Sequence, residues 1–250
     1  MNEALVSIIM PVYNRSSIIA SSIQSILNQS YTFWELIVAD DGSSDGSAQY
    51  IRDTFKDERI KVLELTHQGV AMTRNEALKH SQGSYICFLD SDDQWPENKL
   101  ELQLEVMNKT QAELSIGYFI DRSGPNDPSP ILRICPSEIT LEGLLVDNCV
   151  LLQTLMAKRS MIKDLVFEVA HHEDYRLALS LIQKGVHFEV IPEVLAYRLR
   201  HKKSLTSNKL KSALWRFEIY RDQLKFSWVK SCVVLFKYMW CSLTKHRSIK

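Results

Sequence analysis

Apolar residues gather in short runs that recur about every thirty residues or fewer: "LVSIIMPV" (5–12), "ELIVA" (35–39), "IKVLEL" (60–65) and "SYICFL" (84–89). Each run is short and rich in Val, Ile or Leu, the pattern of buried strands. Between them the apolar positions change to helical spacing. Ile19, Ile23, Ile26 and Leu27 recur at that spacing within 16–30, the stretches 46–56 and 70–82 behave alike, and Pro96 opens a helix expected to reach about residue 109. This alternation predicts βαβ units and an α/β fold, a mainly parallel, Rossmann-like sheet flanked by helices.

Beyond residue 110 the pattern loosens. "DRSGPNDPSP" (121–130) is a polar, Pro/Gly-rich loop long enough to cover or border a site. Helices are expected at 138–147 and 173–184, a strand at "VHFEVIP" (186–192), and a helical tail from 209 onward. The expected organisation is one domain over 1–208, with a nucleotide-binding half (1–110) and an acceptor half (111–208), followed by the tail 209–250.

Charge changes this picture. The 250 residues sum to zero, yet 1–208 carry 20 Lys+Arg against 28 Asp+Glu, while 209–250 carry 10 against 2. No basic stripe with interleaved aromatics marks the body, so nucleic acid is not an expected partner. Within the tail, "FSWVKSCVVLFKYMWCSL" (226–243) is strongly apolar, but Lys230 and Lys237 interrupt it seven residues apart on one helical face. A membrane span tolerates such charges poorly, whereas an in-plane interfacial helix accommodates them beside Trp228, Tyr238 and Trp240; packing in a dimer or against the core is the alternative. The five cysteines are odd in number and without a C-x-x-C pair, which disfavours a disulfide framework or a zinc knuckle. No basic segment precedes the first apolar run and no small-residue cleavage site follows it. The expected location is the cytoplasm, peripheral on the inner face of the cell membrane.

Four stretches carry candidate chemistry, and in a parallel sheet they fall beyond the carboxyl ends of strands, where ligands bind. "VADDGSSDGS" places Asp40 and Asp41 before a Gly/Ser turn; capping of the next helix is the plainer use of such residues. "MPVYNR" puts Tyr13 and Asn14 at the same edge, with Pro11 expected to end ladder pairing; the aromatic either flanks a base or simply packs. "HQGVAMTRNEAL" opens a helix at Gly69, an anion site to which Arg74 adds a cationic fork, or Arg74 only pairs with a surface carboxylate. "FLDSDD" crowds Asp90, Asp92 and Asp93 into four positions, a repulsion that a divalent cation would relieve. If the chain stays extended, Asp90 and Asp92 share a face while Asp93 points away or caps the Pro96 helix. Farther on, Glu173 and Asp174 begin a helix, where they suit either the helix dipole or a general-base role. His171 and His172 are adjacent, not spaced for a helix-borne zinc site.

In this order and spacing, "VSIIMPVYNR", "SILNQSYTFWELIVADDGSSDGS", "GVAMTRNEAL" and "GSYICFLDSDDQWPENKL" resemble the family 2 glycosyltransferases of the GT-A fold, with a weaker likeness through "EDYRLALSLIQKG" and "LAYRLRHKKSLT". The resemblance implies inverting transfer of a sugar from a nucleotide diphosphate donor, usually a UDP-sugar, with Mn²⁺ or Mg²⁺. At the matching positions it implies that Pro11, Tyr13 and Asp41 contact the uridine, that Asp40 supports that turn, and that Arg74 lies near the uracil or diphosphate. Asp90, Ser91 and Asp92 would form the D-x-D that holds the sugar nucleotide and its metal. Asp174 would be the base with Glu173 beside it, and His201 would stand near the diphosphate and metal.

The Q-x-x-R-W motif of processive relatives is missing, so a single addition is expected. The resemblance and the tail together point to a glycan or lipid-linked acceptor, such as a polyprenyl-diphosphate sugar in bacterial O-antigen or other surface polysaccharide assembly, with glucose or galactose as the sugar transferred. Two competing readings are a sugar-nucleotide nucleotidyltransferase, which "PVYNRSS" fits poorly for lack of glycine, and a non-catalytic GT-A-like membrane scaffold, which would not need all three of Asp41, Asp92 and Asp174. No G-x-G-x-x-G follows a strand, which disfavours an NAD enzyme.

Overall fold

A computed structural model of the chain describes residues 4–162, 167–169, 171–200 and 209–245. The first half follows the hydrophobic pattern closely. Strands β1 (Val6–Val12), β2 (Trp34–Asp40), β3 (Ile60–Glu64) and β4 (Tyr85–Phe88) pair in parallel in the order β3-β2-β1-β4. Helices α1 (Ile19–Leu27), α2 (Ser47–Thr54) and α3 (Val70–His80) connect them, and α4 (Lys99–Thr110) follows β4. Every residue of β1 and β2 is buried, because helices cover both faces of the sheet. The two-residue period divides these side chains between two cores. Ile8, Met10, Leu36 and Val38 meet α1 and α4 through Ile23, Ile26, Leu100 and Leu104; Ile9, Ile37 and Ala39 belong with α3 to the other core.

The second half is more mixed than the pattern implies. It contains β5 (Leu114–Arg122), β6 (Ile131–Arg133), α5 (Leu141–Val146), a 3₁₀ turn (Leu152–Thr154), β7 (Met156–Lys158), α6 (Arg159–Ile162), α7 (Glu173–Gln183) and β8 (Glu189–Leu199). The sheet continues β4-β7-β5-β6, antiparallel throughout, and β8 runs parallel to β5 on its other side. The strand expected at 186–192 therefore starts later and extends to Leu199. It does so past Pro192 by a register shift. Gly117 pairs with Ile191 and Tyr118 with Val194, leaving Pro192, which has no N–H to donate, out of the ladder.

Helix α8 (Lys209–Asp222) is built into the body. Ile219 and Tyr220 are fully buried in the core shared with α5 and α7, and the Tyr220 hydroxyl donates to the Leu145 carbonyl at 3.1 Å. Helix α9 (Trp228–Lys245) packs on α8 and α5. Among the described residues no helix is long and apolar enough to cross a membrane.

Candidate functional site

The carboxyl ends of β1, β2 and β4 and the start of α7 converge on one edge of the sheet. Pro11 does not end β1 there. It stays in register with Ala39 of β2, because β4 pairs with β1 only as far as Ile9 and no donor is needed on that side beyond it. Tyr13 then emerges 45% exposed, and its ring stacks on His67 with centroids 4.4 Å apart. Asn14, in the left-handed region at φ 52°, accepts from the Ser44 amide and donates its own amide to Ser43 Oγ, tying the β1 turn to the β2 turn.

Asp40 and Asp41 are both 3% exposed. Asp41 does not cap the helix that follows it. Its carboxylate accepts the amides of Gln68 (2.8 Å) and Gly69 (3.0 Å) at the entrance to α3, and His67 Nδ1 lies 3.0 Å away. Asp45 is the residue that caps α2; bonds from Ser47 and Ser16 hold its carboxyl down at about 2 despite opposing desolvation. Gly42 makes the Asp41 arrangement possible: its φ is +72°, and a Cβ would sit 2.9 Å from the His67 backbone nitrogen. Asp40 Oδ2 accepts from the Ser43 amide, while Oδ1 is buried with no partner among the described residues.

Beyond β4 the chain turns. The Asp93 amide donates to the Asp90 carbonyl at 3.1 Å, so 90–93 form a tight turn and the condition of an extended chain, under which Asp90 and Asp92 would share a face, is not met. Asp93 does not cap α4. It points inward, 2% exposed, and accepts the Leu199 amide at the end of β8. Burial, reinforced by the charges of Asp90 and Asp92, pushes its carboxyl well above the usual range. Ser91 is buried and Asp92 half-buried, facing a groove that Arg122, Tyr197 and the loop residues Gly124 and Pro125 also line. The Pro/Gly-rich loop thus borders the groove that Asp92 faces.

Arg74 joins these pieces. From α3 its side chain, 3% exposed, reaches Asp90 Oδ1 (2.7 Å) through Nη2, and Glu173 Oε1 (2.9 Å) and Asp174 Oδ1 (3.3 Å) through Nη1. Burial alone would depress its pKa; the three carboxylates outweigh burial and raise it. Its guanidinium carbon lies 5.5 Å from the Phe167 ring centroid, and Asn75, one residue on, exchanges a reciprocal pair of bonds with the Phe167 backbone (2.8 and 2.9 Å). Gln153 Nε2 donates to the other Asp90 oxygen. Asp174 keeps a third of its side chain open to the cleft. Burial, opposed by Arg74 and reinforced by Glu173 and Asp90, raises its carboxyl to about 7. A carboxylate with a pKa near neutrality is tuned to accept and release a proton at working pH.

The model of "Glycosyl transferase family 2" matches residues 7–154 of the chain, more than half its length, and that span holds the Asp40–Asp41 turn, Arg74 and the Asp90–Asp92 turn. The chain belongs to glycosyl transferase family 2. Among curated family relatives, it is 36% identical over 225 residues to the Escherichia coli UDP-Glc:alpha-D-GlcNAc-diphosphoundecaprenol beta-1,3-glucosyltransferase WfgD, covering 89% of this chain and 87% of that one. It is 34% identical over 240 residues to the putative teichuronic acid biosynthesis glycosyltransferase TuaG of Bacillus subtilis (strain 168), covering 94% and 95%. Its fold is that of S. aureus TarS 1–349, solved in complex with UDP-GlcNAc: TM-score 0.69 at 20% identity over 94% of this chain and 71% of that 1–349 chain.

The divalent ion implied by the family 2 glycosyltransferase resemblance fits the donor chemistry of this edge. Asp90 and Asp92 offer only oxygen, the donor type of Mg²⁺ and Mn²⁺. Among the described residues no group of three or more His, Cys, Asp or Glu is arranged to hold a metal by itself. His201 lies outside the described residues. His171 and His172 lie against Trp215, the first stacked at 3.9 Å and the second edge-on at 5.4 Å. Asn75, Gln153 and Phe167 were not legible as site residues. Asn75 lies within "GVAMTRNEAL", adjacent to Arg74, but Gln153 and Phe167 belong to stretches with no periodicity or charge pattern that would single them out.

Proposed function

We propose that this glycosyltransferase moves one hexose, glucose or galactose, from a UDP-sugar to a polyprenyl-diphosphate-linked sugar, with inversion, in surface polysaccharide assembly. The observation that carries the reading is the buried Arg74, which brings the Asp90 turn and the Asp174 helix to one cleft. The activity for which WfgD is named supports the acceptor class. Tyr13, backed by His67, offers a flat face for the uracil, and Pro11, Asp40 and Asp41 fix the turns around it. Asp90, Ser91 and Asp92 line the diphosphate end, with Asp92 and Asp90 as the residues that would hold Mn²⁺ or Mg²⁺. When bound, that ion supplies positive charge against the charge developing on the leaving diphosphate. Asp174 accepts the proton of the acceptor hydroxyl as its oxygen bonds to the anomeric carbon, while the bond from that carbon to the diphosphate oxygen breaks and its electron pair leaves with UDP. A single displacement inverts the centre. Glu173 holds Arg74 beside the base.

The test is UDP release by the purified chain with a panel of UDP-sugars and a GlcNAc-diphosphate-lipid acceptor, with Mn²⁺ or chelator. Release with one donor that requires the acceptor is expected; acceptor-independent release, or none with any donor, would reject the reading. Asp92→Ala is expected to weaken UDP binding about tenfold with Mn²⁺ present and to leave metal-free binding unchanged in titration calorimetry.

A further inference from the structure

Helix α9 has three distinct faces. On one, Val234 and Leu235 pack against the core and Ser231 is fully buried. On another, Val229, Val233, Phe236 and Trp240 follow at spacings of four, three and four residues, which form a single stripe on an α-helix, and they are 68, 50, 62 and 63% exposed. Lys230 and Lys237 stand next around the circumference, both exposed, and form the third face. Monomeric proteins seldom expose so many large apolar side chains together.

We propose that this face of α9 docks in the plane of an anionic lipid bilayer. Charge selects that partner. Helix α9 itself carries Lys230, Lys237 and Lys245 and no Asp or Glu, opposite in sign to anionic headgroups. Two copies of the chain meeting through the stripe would instead bring their lysine rims together, which repel. The arrangement also suits insertion, because the stripe ends in Trp240 and the lysine stems lie where they can lift their ammonium groups to the headgroups. The docked helix is tied to the candidate cleft. Arg216 of α8, 7% exposed, lies between Tyr175 of α7 (4.3 Å) and Tyr238 of α9 (4.0 Å). Tyr175 follows Asp174 directly, so the sandwich holds the base-bearing helix in register with α9 and sets the height of the cleft above the membrane. The delivery of a lipid-linked acceptor to that height rests on the reading given under Proposed function; the docking itself does not.

The experiment is flotation of the full chain with vesicles of phosphatidylglycerol and phosphatidylethanolamine, and with vesicles of phosphatidylcholine alone, in the absence of any sugar substrate. Binding to the anionic vesicles is expected, at least about tenfold tighter than to phosphatidylcholine. The double variant F236E/W240E, whose residues are exposed and whose fold is checked by circular dichroism, is expected to lose at least about tenfold in vesicle affinity. K230E/K237E is expected to lose about fivefold or more for each charge, with the loss shrinking at high salt. Three results would overturn the proposal: no vesicle binding by the unmodified chain, equal binding by F236E/W240E, or self-association of the unmodified chain that F236E/W240E abolishes. Because no sugar transfer is read, failure here and failure of the transferase reading are separate results.

Discussion

Asp174→Asn is expected to lower kcat/KM for sugar transfer by about 10²- to 10⁴-fold while UDP binding stays within a factor of two or so of the unmodified chain. The substitution keeps the size of the side chain and an oxygen that can face Arg74, but removes the carboxylate that takes the acceptor proton. The pH dependence supplies a second readout. With a carboxyl at about 7 in the free protein, only the ionised fraction acts as base, so kcat/KM should rise about tenfold per pH unit below 7 and level off above it. Asp174→Asn should flatten that limb. Stability should move the other way. A carboxyl whose pKa is higher folded than unfolded favours the fold at low pH, and that contribution is lost as pH rises from about 4, its unfolded value, through 7. The amide carries no such penalty, so the variant should match or exceed the unmodified chain in thermal midpoint at pH 8. A near-normal rate, or a pH limb unchanged in the variant, would remove Asp174 from the role of base.

Arg74→Met is expected to destabilise the fold by about 3 kcal/mol, near the lower end for removing one partner of a buried ion pair. The side chain is nearly fully enclosed, but its partners Asp90, Glu173 and Asp174 keep 31, 19 and 33% of their side chains open, and water screens part of the loss. What remains is three carboxylates facing one another with no cation. Their repulsion raises the folded pKa values further, so the deficit should be larger at pH 8 than at pH 5, where protonation relieves it. Urea unfolding at the two pH values measures this. Arg74→Lys should recover part of the stability, since the charge returns but one ammonium cannot span both Asp90 and the α7 carboxylates as the guanidinium fork does. A variant with unchanged midpoints at both pH values would mean that the cluster does not hold α7 to the sheet.

The parallel half was legible because its cues are local. A run such as "LVSIIMPV" states its own burial, and the helical spacing of Ile19, Ile23 and Ile26 names the face turned toward it, so the βαβ order needs only neighbouring residues. Three-residue strands such as β6 and β7 are too short to show any period, and they form because β5 and β4 offer free edges. The carboxylates of the candidate site could be located individually for a similar reason: Asp40, Asp41, Asp90 and Asp92 all follow strand-like runs, and such positions fall on the ligand-binding edge of a parallel sheet. Their partners could not. Asp41 meets amides 27 and 28 positions away, and Gln153 reaches Asp90 across 63 positions.

The sequence by itself determined the alternating strands and helices, the edge on which the carboxylates collect, the family, and the two-signed tail. Tertiary structure alone decided that Asp93 turns inward to β8, that α8 is part of the core, and that Arg74 closes the cleft against residues about a hundred positions away in the chain. The physical reason is the range of the information. Hydrophobic periods are written within a few residues, whereas a buried charge is satisfied only by whatever the completed fold brings within hydrogen-bond reach.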